Sequence, residues 1–458
     1  MFKIHSPFDD SVVAERAYTS DDDVNAALDA ARAAQKKWKA TPLADRIALC
    51  EKWCEAFAAM ESDIAELLAK QMGRPIRYGA GEVNGTLGRA RAMIQQAEAG
   101  LAPVTTTDQD GFERYIEREP VGVVLTIPAW NYPYLITVNS VIPAVLAGNA
   151  VVIKPSAQSA LTGEHFVEAF EKAGAPAGLV SCLHLDHPRT EKLVQDDRVD
   201  FVAFTGSTSG GKAMEHAAQG RFIGMGLELG GKDPAYVRAD ADVAFAAENL
   251  ADGSFFNSGQ SCCGIERIYV HEDVYDEFVQ GVVDVAKGYK LGNPLDDDVT
   301  IGPLAKATGK THVDTQLKEA LEKGATAHVP DGHFDVPATG HFVAPQVLTD
   351  VTHDMDIMME ETFGPIACIQ KVGSDDEAIA LMNDSPYGLT ASVWTKDVDA
   401  AKRIGAQVET GTFFLNRCDF LDPELAWVGV KDSGRGCTLS KVGFEHLTRP
   451  KSFHLRLP

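Results

Sequence analysis

The sequence predicts an α/β protein whose core is a mainly parallel β-sheet covered by helices on both faces. Three observations predict it: short apolar runs alternate with helical segments from residue 121 onwards, these runs are almost uninterrupted by polar residues, and the alternation resumes after residue 240. Strands of a parallel sheet are buried on both faces and are therefore typically continuous apolar runs. The two blocks predict two α/β domains, in keeping with 458 residues.

The first hundred residues are predicted to be helical. Ser20 is placed to cap a helix that begins with three aspartates, which favour a helix start. Thr41-Pro42 opens a second helix, and Gly73 closes that helical stretch ahead of Pro75. This region should cover the first sheet. That sheet is predicted to hold strands Val121–Ile127, Ala150–Ile153, Val180–Leu185, Phe201–Phe204 and Phe222–Leu229, with helices at 135–147, 161–173, 189–196 and 209–218.

The second block is predicted to form a second sheet-based domain. The tail from Lys451 alternates like an edge strand, and with the polar hairpin-like stretch 104–119 it suggests an oligomerisation element. Predicted elements of the block are helix 242–257, strand 267–271, helices 274–288 and 308–323, and strand–helix pairs around 366–405.

The composition is that of a globular chain with an acidic surface. Hydrophobic residues make up 45% and charged residues 24%, which excludes a disordered chain. A formal charge of −24 repels phosphate backbones and anionic lipids, so neither nucleic acid nor a membrane is an expected partner. The longest apolar runs, such as Val121–Pro128, are far shorter than the ~20 residues of a membrane span. Without an export signal, we expect a cytoplasmic protein.

Eight cysteines are too few for a disulfide scaffold, and none has zinc-ligand spacing, so no metal is expected. Cys262 and Cys263 are adjacent, and small residues, including Gly259 and Gly264, flank them. A nucleophilic cysteine needs partial exposure and backbone donors for the charge that forms after attack, and this open segment offers both. A buried pair of thiols is the alternative.

Phe204–Lys212 follows a predicted strand and opens a helix. Gly206, Gly211 and Lys212 match most of a phosphate-loop pattern, but Ala213 stands where a magnesium-binding Ser or Thr is needed. The G-x-G-x-x-G fingerprint is absent as well. What remains is a small-residue turn at a helix N-terminus, which suits a pyrophosphate, or simply a tight strand–helix turn.

Glu228 lies inside an apolar strand end, Leu227-Glu-Leu-Gly-Gly-Lys232. Such a carboxylate should be desolvated, which raises its pKa and makes it useful as a general base. An ordinary polar partner is the alternative.

The segment around Glu228 and six other segments together resemble the aldehyde dehydrogenase superfamily, and the resemblance extends along essentially the whole sequence. The matching segments are Pro128–Pro133, Val152–Ser156, Phe204–Thr208, Leu227–Gly231, Gly259–Cys262, Glu361–Pro365 and Gly429–Gly434.

The resemblance implies a catalytic set. Cys262 matches the nucleophile, which forms a thiohemiacetal and then a thioester with the aldehyde. Asn131, with the backbone N–H of Cys262, matches the oxyanion donors, and Glu228 matches the base that activates water for hydrolysis. The resemblance implies that Lys154 belongs to the catalytic residues and also contacts the cofactor.

The resemblance also implies NAD or NADP as cofactor. Ala157 stands where many NAD-preferring members carry a glutamate that grips the adenosine ribose, so NADP stays open and NAD is slightly favoured. A second departure is Gly434-Arg-Gly-Cys-Thr438, where the family usually has Gly-Arg-Glu. The implied cofactor contacts are Lys154, Ser156, Gly206, Ser207, Gly211, Leu229, Glu361 and Phe363.

The implied fold has a Rossmann-like cofactor domain (1–103 and 120–230), an α/β catalytic domain (231–432) and a small β oligomerisation element (104–119 and 433–458). A homodimer or homotetramer and a small aldehyde substrate are expected with it. Two alternatives remain: a CoA-acylating dehydrogenase, which generally lacks the counterpart of Glu228, and a non-catalytic binding protein, which should have lost Cys262, Asn131 or Glu228.

Overall fold

Two mainly parallel sheets, of six and seven strands, frame the molecule, which the computed structural model describes from residue 1 to 458. Each sheet is covered by helices and has its own apolar core, which confirms the α/β class. None of the helices combines the length and apolar character needed to cross a bilayer.

The chain begins with a β-hairpin and not with a helix, so the prediction of a helical first hundred residues is wrong for the first sixteen. Phe2 pairs with Arg16, and Ile4 is buried against the segment that follows the Lys154 loop. The helices then follow as predicted, with the Ser20 hydroxyl accepting the Asp23 N–H at 3.1 Å. The elements are β1 (Phe2–His5), β2 (Val12–Arg16), α1 (Asp21–Trp38), α2 (Leu43–Ala58), α3 (Glu61–Met72) and α4 (Gly79–Leu101).

The next stretch forms a hairpin and then the first sheet. Its elements are β3 (Val104–Thr105), β4 (Phe112–Pro120), β5 (Val123–Ile127), α5 (Pro133–Leu146), β6 (Ala150–Ile153), α6 (Leu161–Lys172), β7 (Val180–Cys182), α7 (His187–Gln195), β8 (Phe201–Thr205), α8 (Thr208–Ala217) and β9 (Gly224–Glu228).

The order of the parallel strands in this sheet is β9-β8-β5-β6-β7. The chain therefore builds outwards from β5 in both directions, and a crevice opens at the carboxyl ends of the strands where the order reverses. The loops after β5, β6, β8 and β9 carry Asn131, Lys154, Gly206 and Leu229 respectively. The topology alone thus brings four predicted site segments to one edge.

The seven-stranded sheet is built next, and β15 lies outside it. The strand order is β12-β13-β14-β11-β10-β16-β17, parallel except for β12. The elements are β10 (Asp233–Val237), α9 (Val243–Phe255), β11 (Ile265–His271), α10 (Tyr275–Lys287), α11 (Ala307–Glu322), β12 (Thr326–Ala327), β13 (Gln346–Thr349), α12 (Asp356–Met359), β14 (Ile366–Val372), α13 (Asp375–Asn383), β15 (Tyr387–Gly388), β16 (Thr390–Trp394), α14 (Val398–Gly405) and β17 (Thr412–Leu415).

The C-terminal stretch contains β18 (Val430–Lys431), β19 (Gly434–Arg435) and β20 (Thr448–Arg456). β20 pairs with β4 along nine residues and β3 pairs with the other edge of β4, so the predicted tail strand does join the 104–119 stretch. By contrast, β19 is the sixth strand of the first sheet, antiparallel to β9, and Phe444 belongs to the core of that sheet. The predicted boundary at 433 is therefore too early, because residues 434–447 cover the edge of the first sheet.

Candidate active site

Cys262 lies in a sharply folded loop between α9 and β11. Asn257, Ser258 and Gly259 all have left-handed backbones, with φ of 54°, 58° and 73°. A Cβ on Gly259 would lie 2.1 Å from the carbonyl oxygen of Gly364, so only glycine fits at that position. Three consecutive left-handed residues are costly, and such strain is typical of functional loops. The loop therefore fixes where the thiol stands.

Hydrogen bonds from Gln260 and Asn131 hold the same loop. The Gln260 side chain donates to the Asn257 carbonyl at 2.9 Å and accepts the Ala305 N–H at 2.9 Å. The Asn131 amide, which is buried in the loop after β5, donates to the Gln260 carbonyl at 3.2 Å. The N–H of Cys262 has no acceptor within the protein. The N–H of Cys262 and the second N–H of the Asn131 amide, the donors predicted for an oxyanion, thus have no acceptor in the protein.

The two adjacent thiols face different surroundings. Cys262 is half-buried and lines a cavity. Cys263 is buried and donates to the Asp419 carboxylate at 3.0 Å, which also accepts the Ser261 hydroxyl at 2.9 Å. The hydrogen bond to the Cys262 thiol, then burial and the Asp419 charge, raise the pKa of Cys263 well above its usual value. Cys263 is thus held as a thiol, and Asp419 is a supporting residue that the sequence did not single out.

Glu228 ends β9 with both carboxylate oxygens occupied. One oxygen accepts the Thr438 hydroxyl at 2.6 Å, and the other accepts the Thr205 hydroxyl at 3.1 Å. Burial raises the pKa of Glu228, although the two hydroxyl donors oppose that rise. The expectation of a desolvated carboxylate is confirmed. Thr438, which ends the segment noted above for its departure from the family pattern, is one of the two groups that hold it.

Cys262 and Glu228 line one cavity of about 670 Å³. Helix α4, the start of α5, the end of α9 and the loop 418–427 form its other walls. Aromatic side chains contribute much of the surface, and its volume is in the range of sites for medium-sized organic molecules. The aromatic lining residues are Tyr78, Tyr132, Phe256, Phe420 and Trp427.

The turn from β8 to α8 has the close packing of a phosphate cradle. A Cβ on Gly206 would lie 2.7 Å from the Phe204 ring, and a Cβ on Gly211 would lie 2.7 Å from Leu229. The Ser207 hydroxyl accepts the Gly210 N–H at 3.1 Å, which leaves the earlier N–H groups of α8 without partners in the helix. A pyrophosphate fits this helix start by charge and by hydrogen bonding.

Lys154 follows β6 at the same crevice. It is buried, no carboxylate lies within ion-pair distance, and burial lowers its pKa. Ser156 caps the short helical turn 157–159, on which Ala157 is exposed. Lys154 lies outside the cavity that Cys262 and Glu228 share.

Glu361 and Phe363 lie on a loop that faces the end of β9. The Glu361 carboxylate accepts the Gly231 N–H at 3.1 Å, and burial, with the nearby Glu266, raises its pKa to about 8. Phe363 has a left-handed backbone with φ of 53°, and its ring meets Trp130 edge-on at 5.6 Å. The loop thus presents a carboxyl group and an aromatic ring at one place.

Glu266 anchors that loop, and sequence reasoning missed it. Its carboxylate accepts the N–H groups of Thr362 at 2.8 Å and Phe363 at 2.9 Å, and the Lys232 ammonium donates to it at 2.5 Å. Glu266 and Lys232 are both buried. The only local signal is a pair of charged residues, Glu266 and Arg267, near the start of a buried strand.

Comparison with known proteins places these features in a family. The sequence model of the aldehyde dehydrogenase family matches residues 1–453. Vanillin dehydrogenase of Corynebacterium glutamicum is 34% identical, over 94% of this chain and 89% of that protein. Succinic semialdehyde dehydrogenase of Streptococcus pyogenes, solved with NADP⁺, superimposes with a TM-score of 0.95 at 30% identity, over 100% of both chains. PnpE of Pseudomonas sp. WBC-3, solved with nicotinamide adenine dinucleotide, gives 0.95 at 30% identity, over 100% of this chain and 94% of its own.

Proposed function

The chain belongs to the aldehyde dehydrogenase family, and we propose that Cys262, Asn131 and Glu228 carry out its reaction. It oxidises an aldehyde to a carboxylic acid with NAD(P)⁺, through a cysteine thiohemiacetal and a thioester. The observation that carries the assignment of residues is the shared cavity, which holds the Cys262 thiol and the Glu228 carboxylate beside the loop that Asn131 contacts.

Cys262 is the nucleophile in this proposal. Its thiolate adds to the aldehyde carbon, and the carbonyl oxygen becomes an oxyanion. The free N–H of Cys262 and the Asn131 amide are the donors that receive this charge. Removal of one such pre-oriented donor typically costs ~10²–10³ in rate.

We assign the crevice at the strand ends to the dinucleotide. Gly206, Ser207 and Gly211 would cradle the pyrophosphate, with Ser156 and Leu229 beside them, and Lys154 would hold the adenosine ribose. Glu361 and Phe363 would hold the nicotinamide riboside end. When bound, the nicotinamide accepts the hydride that the aldehyde carbon loses. The packed glycines and the buried, unpaired Lys154 support the assignment.

Glu228 is the general base for the second half of the reaction. Its raised pKa makes it a better proton acceptor, and two threonine hydroxyls orient it. It takes a proton from the water that attacks the thioester, and the carboxylic acid leaves. This supports hydrolysis over transfer to CoA, because water is a far weaker acid than a thiol and depends more strongly on a general base.

For the cofactor we propose that both dinucleotides are used, with NAD slightly preferred. Ala157 is exposed and offers neither a carboxylate for the ribose hydroxyls nor repulsion of a 2′-phosphate. We also propose a homodimer or homotetramer that assembles through the sheet of β3, β4 and β20. The cytoplasm is the proposed location. The exposed apolar residues Val104 and Leu455 on that sheet support the proposed oligomer. The eight free cysteines support a reducing compartment.

The test compares Cys262→Ala with Cys263→Ala. We expect the first variant to lose NAD(P)H formation from aldehydes and the second to keep most of it, because the buried Cys263 thiol donates to Asp419 and is held protonated. Steady-state turnover with several aldehydes, with and without CoA, is the measurement. Equal losses in the two variants, or turnover that requires CoA, would contradict the assignment.

A further inference from the structure

Arg89 on α4 is a cation that lines the substrate cavity and keeps unused donors; Arg77, which also lines the cavity without an ion pair, is exposed. One guanidinium nitrogen of Arg89, Nη1, donates to the Leu135 carbonyl at 2.7 Å and to the Asn139 amide oxygen at 3.2 Å. The Nε and Nη2 groups have no acceptor on the protein. Burial lowers the pKa of Arg89 to about 10, so it remains a cation at neutral pH.

The two fully buried arginines of the chain, by contrast, are satisfied within the protein. Arg74, which also lines the cavity, is paired with Glu82. Arg267 donates to four backbone carbonyls and a tyrosine hydroxyl. Arg89 has no carboxylate within ion-pair distance, and both oxygens of Glu228, the nearby acid, are bonded to threonines. A half-buried charge without a counter-ion is partly desolvated at a cost, so a positively charged fork kept in this state fits an anion that arrives with the ligand.

The wall of α4 beside Arg89 lacks side chains. Gly81, Gly85 and Gly88 share one face of the helix and line the cavity, and a Cβ at Gly81 or Gly88 would meet nothing within 4 Å. Each glycine inside a helix destabilises it by about 0.5–1 kcal/mol relative to alanine. Three of them on the cavity face provide room, and the opposite walls carry aromatic rings such as Tyr132 and Trp427.

We propose that Arg89 binds a carboxylate of the substrate, so that the preferred substrates are aldehydes with a ring-sized skeleton that carries a carboxylate. The proposal rests on the proposed function, because it places the aldehyde at Cys262 and the carboxylate in the same cavity. The guanidinium fork matches a planar carboxylate with two parallel hydrogen bonds, and Nε and Nη2 are the pair left free for it.

The experiment measures kcat/KM for the ortho, meta and para isomers of carboxybenzaldehyde and for their methyl esters. The ester keeps the shape and removes the charge, so the acid-to-ester ratio reports the carboxylate contact. We expect at least one isomer to be preferred as the acid in the native enzyme. In Arg89→Met that ratio should fall about tenfold or more, the size of a charge-assisted hydrogen-bond pair.

Two further variants keep the result decisive. Arg91→Met removes an exposed cation of the same helix that does not line the cavity, and its acid-to-ester ratio should match that of the native enzyme. Arg89→Lys keeps the charge but not the fork, and its ratio should fall between those of the native enzyme and Arg89→Met. If Arg89→Met does not fold, an unchanged ratio in Arg89→Lys overturns the proposal.

Equal losses of kcat/KM for acid and ester in Arg89→Met also overturn the proposal, since Arg89 would then act on Cys262 or Glu228 and not on the substrate. An unchanged acid-to-ester ratio with unchanged activity in Arg89→Met overturns the proposal as well. Failure of the proposed function looks different: the native enzyme would reduce NAD(P)⁺ with none of the aldehydes, or Cys262→Ala would remain active.

Discussion

The two sides of the active site are built in different ways. On the side that we assign to the cofactor and the catalytic groups, here called the cofactor side, Asn131, Gly206 and Glu228 follow or end parallel strands, and the buried backbone ladder of the sheet fixes their positions. On the substrate side, a glycine-rich face of α4 and the loop 418–427 form the wall, and Asp419 there has a left-handed backbone with φ of 46°. The strands therefore position the groups of the reaction, while a helix face and a loop shape the space for the substrate.

Glu228→Gln should give the largest loss of turnover. The loss should be the same for every aldehyde, because the change is on the cofactor side. The amide keeps the size of the side chain but cannot accept a proton from water. A general base is typically worth ~10²–10⁴ in rate, so steady-state turnover should fall by about that factor for every substrate. Rapid mixing should show a burst of reduced nicotinamide followed by slow turnover, because acyl-enzyme accumulates.

Mass spectrometry provides the control for this prediction, since the trapped acyl group should be found on Cys262. If Glu228 instead deprotonated Cys262 before attack, the variant would show a slow first turnover, no burst and no adduct. Thr438→Val should have a smaller effect in the same direction, because Glu228 would keep the Thr205 hydroxyl.

Ala157→Glu should change the choice of cofactor by about tenfold, the effect of roughly one charge interaction at a partly exposed site. The new carboxylate would accept the adenosine ribose hydroxyls and repel a 2′-phosphate, so the NAD-to-NADP ratio of kcat/KM should rise. The ratio should rise equally for small and large aldehydes, because the position is on the cofactor side. Ala177→Glu, the same substitution at an exposed alanine in the loop between α6 and β7, is a matched control. If the ratio stays unchanged in Ala157→Glu, position 157 does not face the ribose.

The sequence predicted the cofactor side better than the substrate side. Strand–helix alternation predicted the parallel sheets, and strand-end motifs singled out Glu228 and the turn after β8, because such signals lie within a few residues of each other. Glu266 was missed because it bonds to residues 96 and 97 positions away in the chain. Arg89 was missed because Leu135 and Asn139, its acceptors, lie on another helix.

The errors in the fold have a similar cause. The first sixteen residues pair as an antiparallel hairpin whose stability comes from packing of Ile4 on Ala160 and Leu161, which no local pattern reveals. Residues 434–435 form too short a strand for a periodicity argument, and their place opposite Glu228 depends on a partner two hundred residues earlier. Thr438 reaches Glu228 because of that pairing.

Glu361→Gln should change the pH dependence of stability. Burial, with the neighbouring Glu266, raises the pKa of Glu361 from 4.5 to about 8. Between these values the folded protein binds more protons than the unfolded chain, so this group makes stability fall as pH rises through that window. A glutamine cannot ionise, so the free energy of unfolding should fall less steeply, by up to about 1.4 kcal/mol per pH unit.

Urea unfolding between pH 5 and 9 is the measurement, in steps of about one unit. Glu360→Gln, which replaces an exposed neighbour, should leave the native pH profile intact. Parallel profiles for the native enzyme and Glu361→Gln would contradict the raised pKa. Unlike Ala157→Glu, this change tests how the cofactor side is held together and not what it binds.

Gly88→Ala should give the smallest change in activity and stability. It should show that the glycines of the substrate side lower stability and leave space in the cavity. Because a Cβ there meets nothing within 4 Å, alanine should raise the free energy of unfolding by about 0.5–1 kcal/mol. Gly85→Ala is the matched comparison on the same face: its Cβ would lie 2.9 Å from a Leu135 methyl group, so the gain should be smaller. In both variants kcat/KM for ring-sized aldehydes should fall a few-fold relative to short aliphatic ones, because the added methyl projects into the cavity. Stabilisation with unchanged relative activity would mean that the glycine face does not contact the substrate, and that α4 is not the wall that selects it.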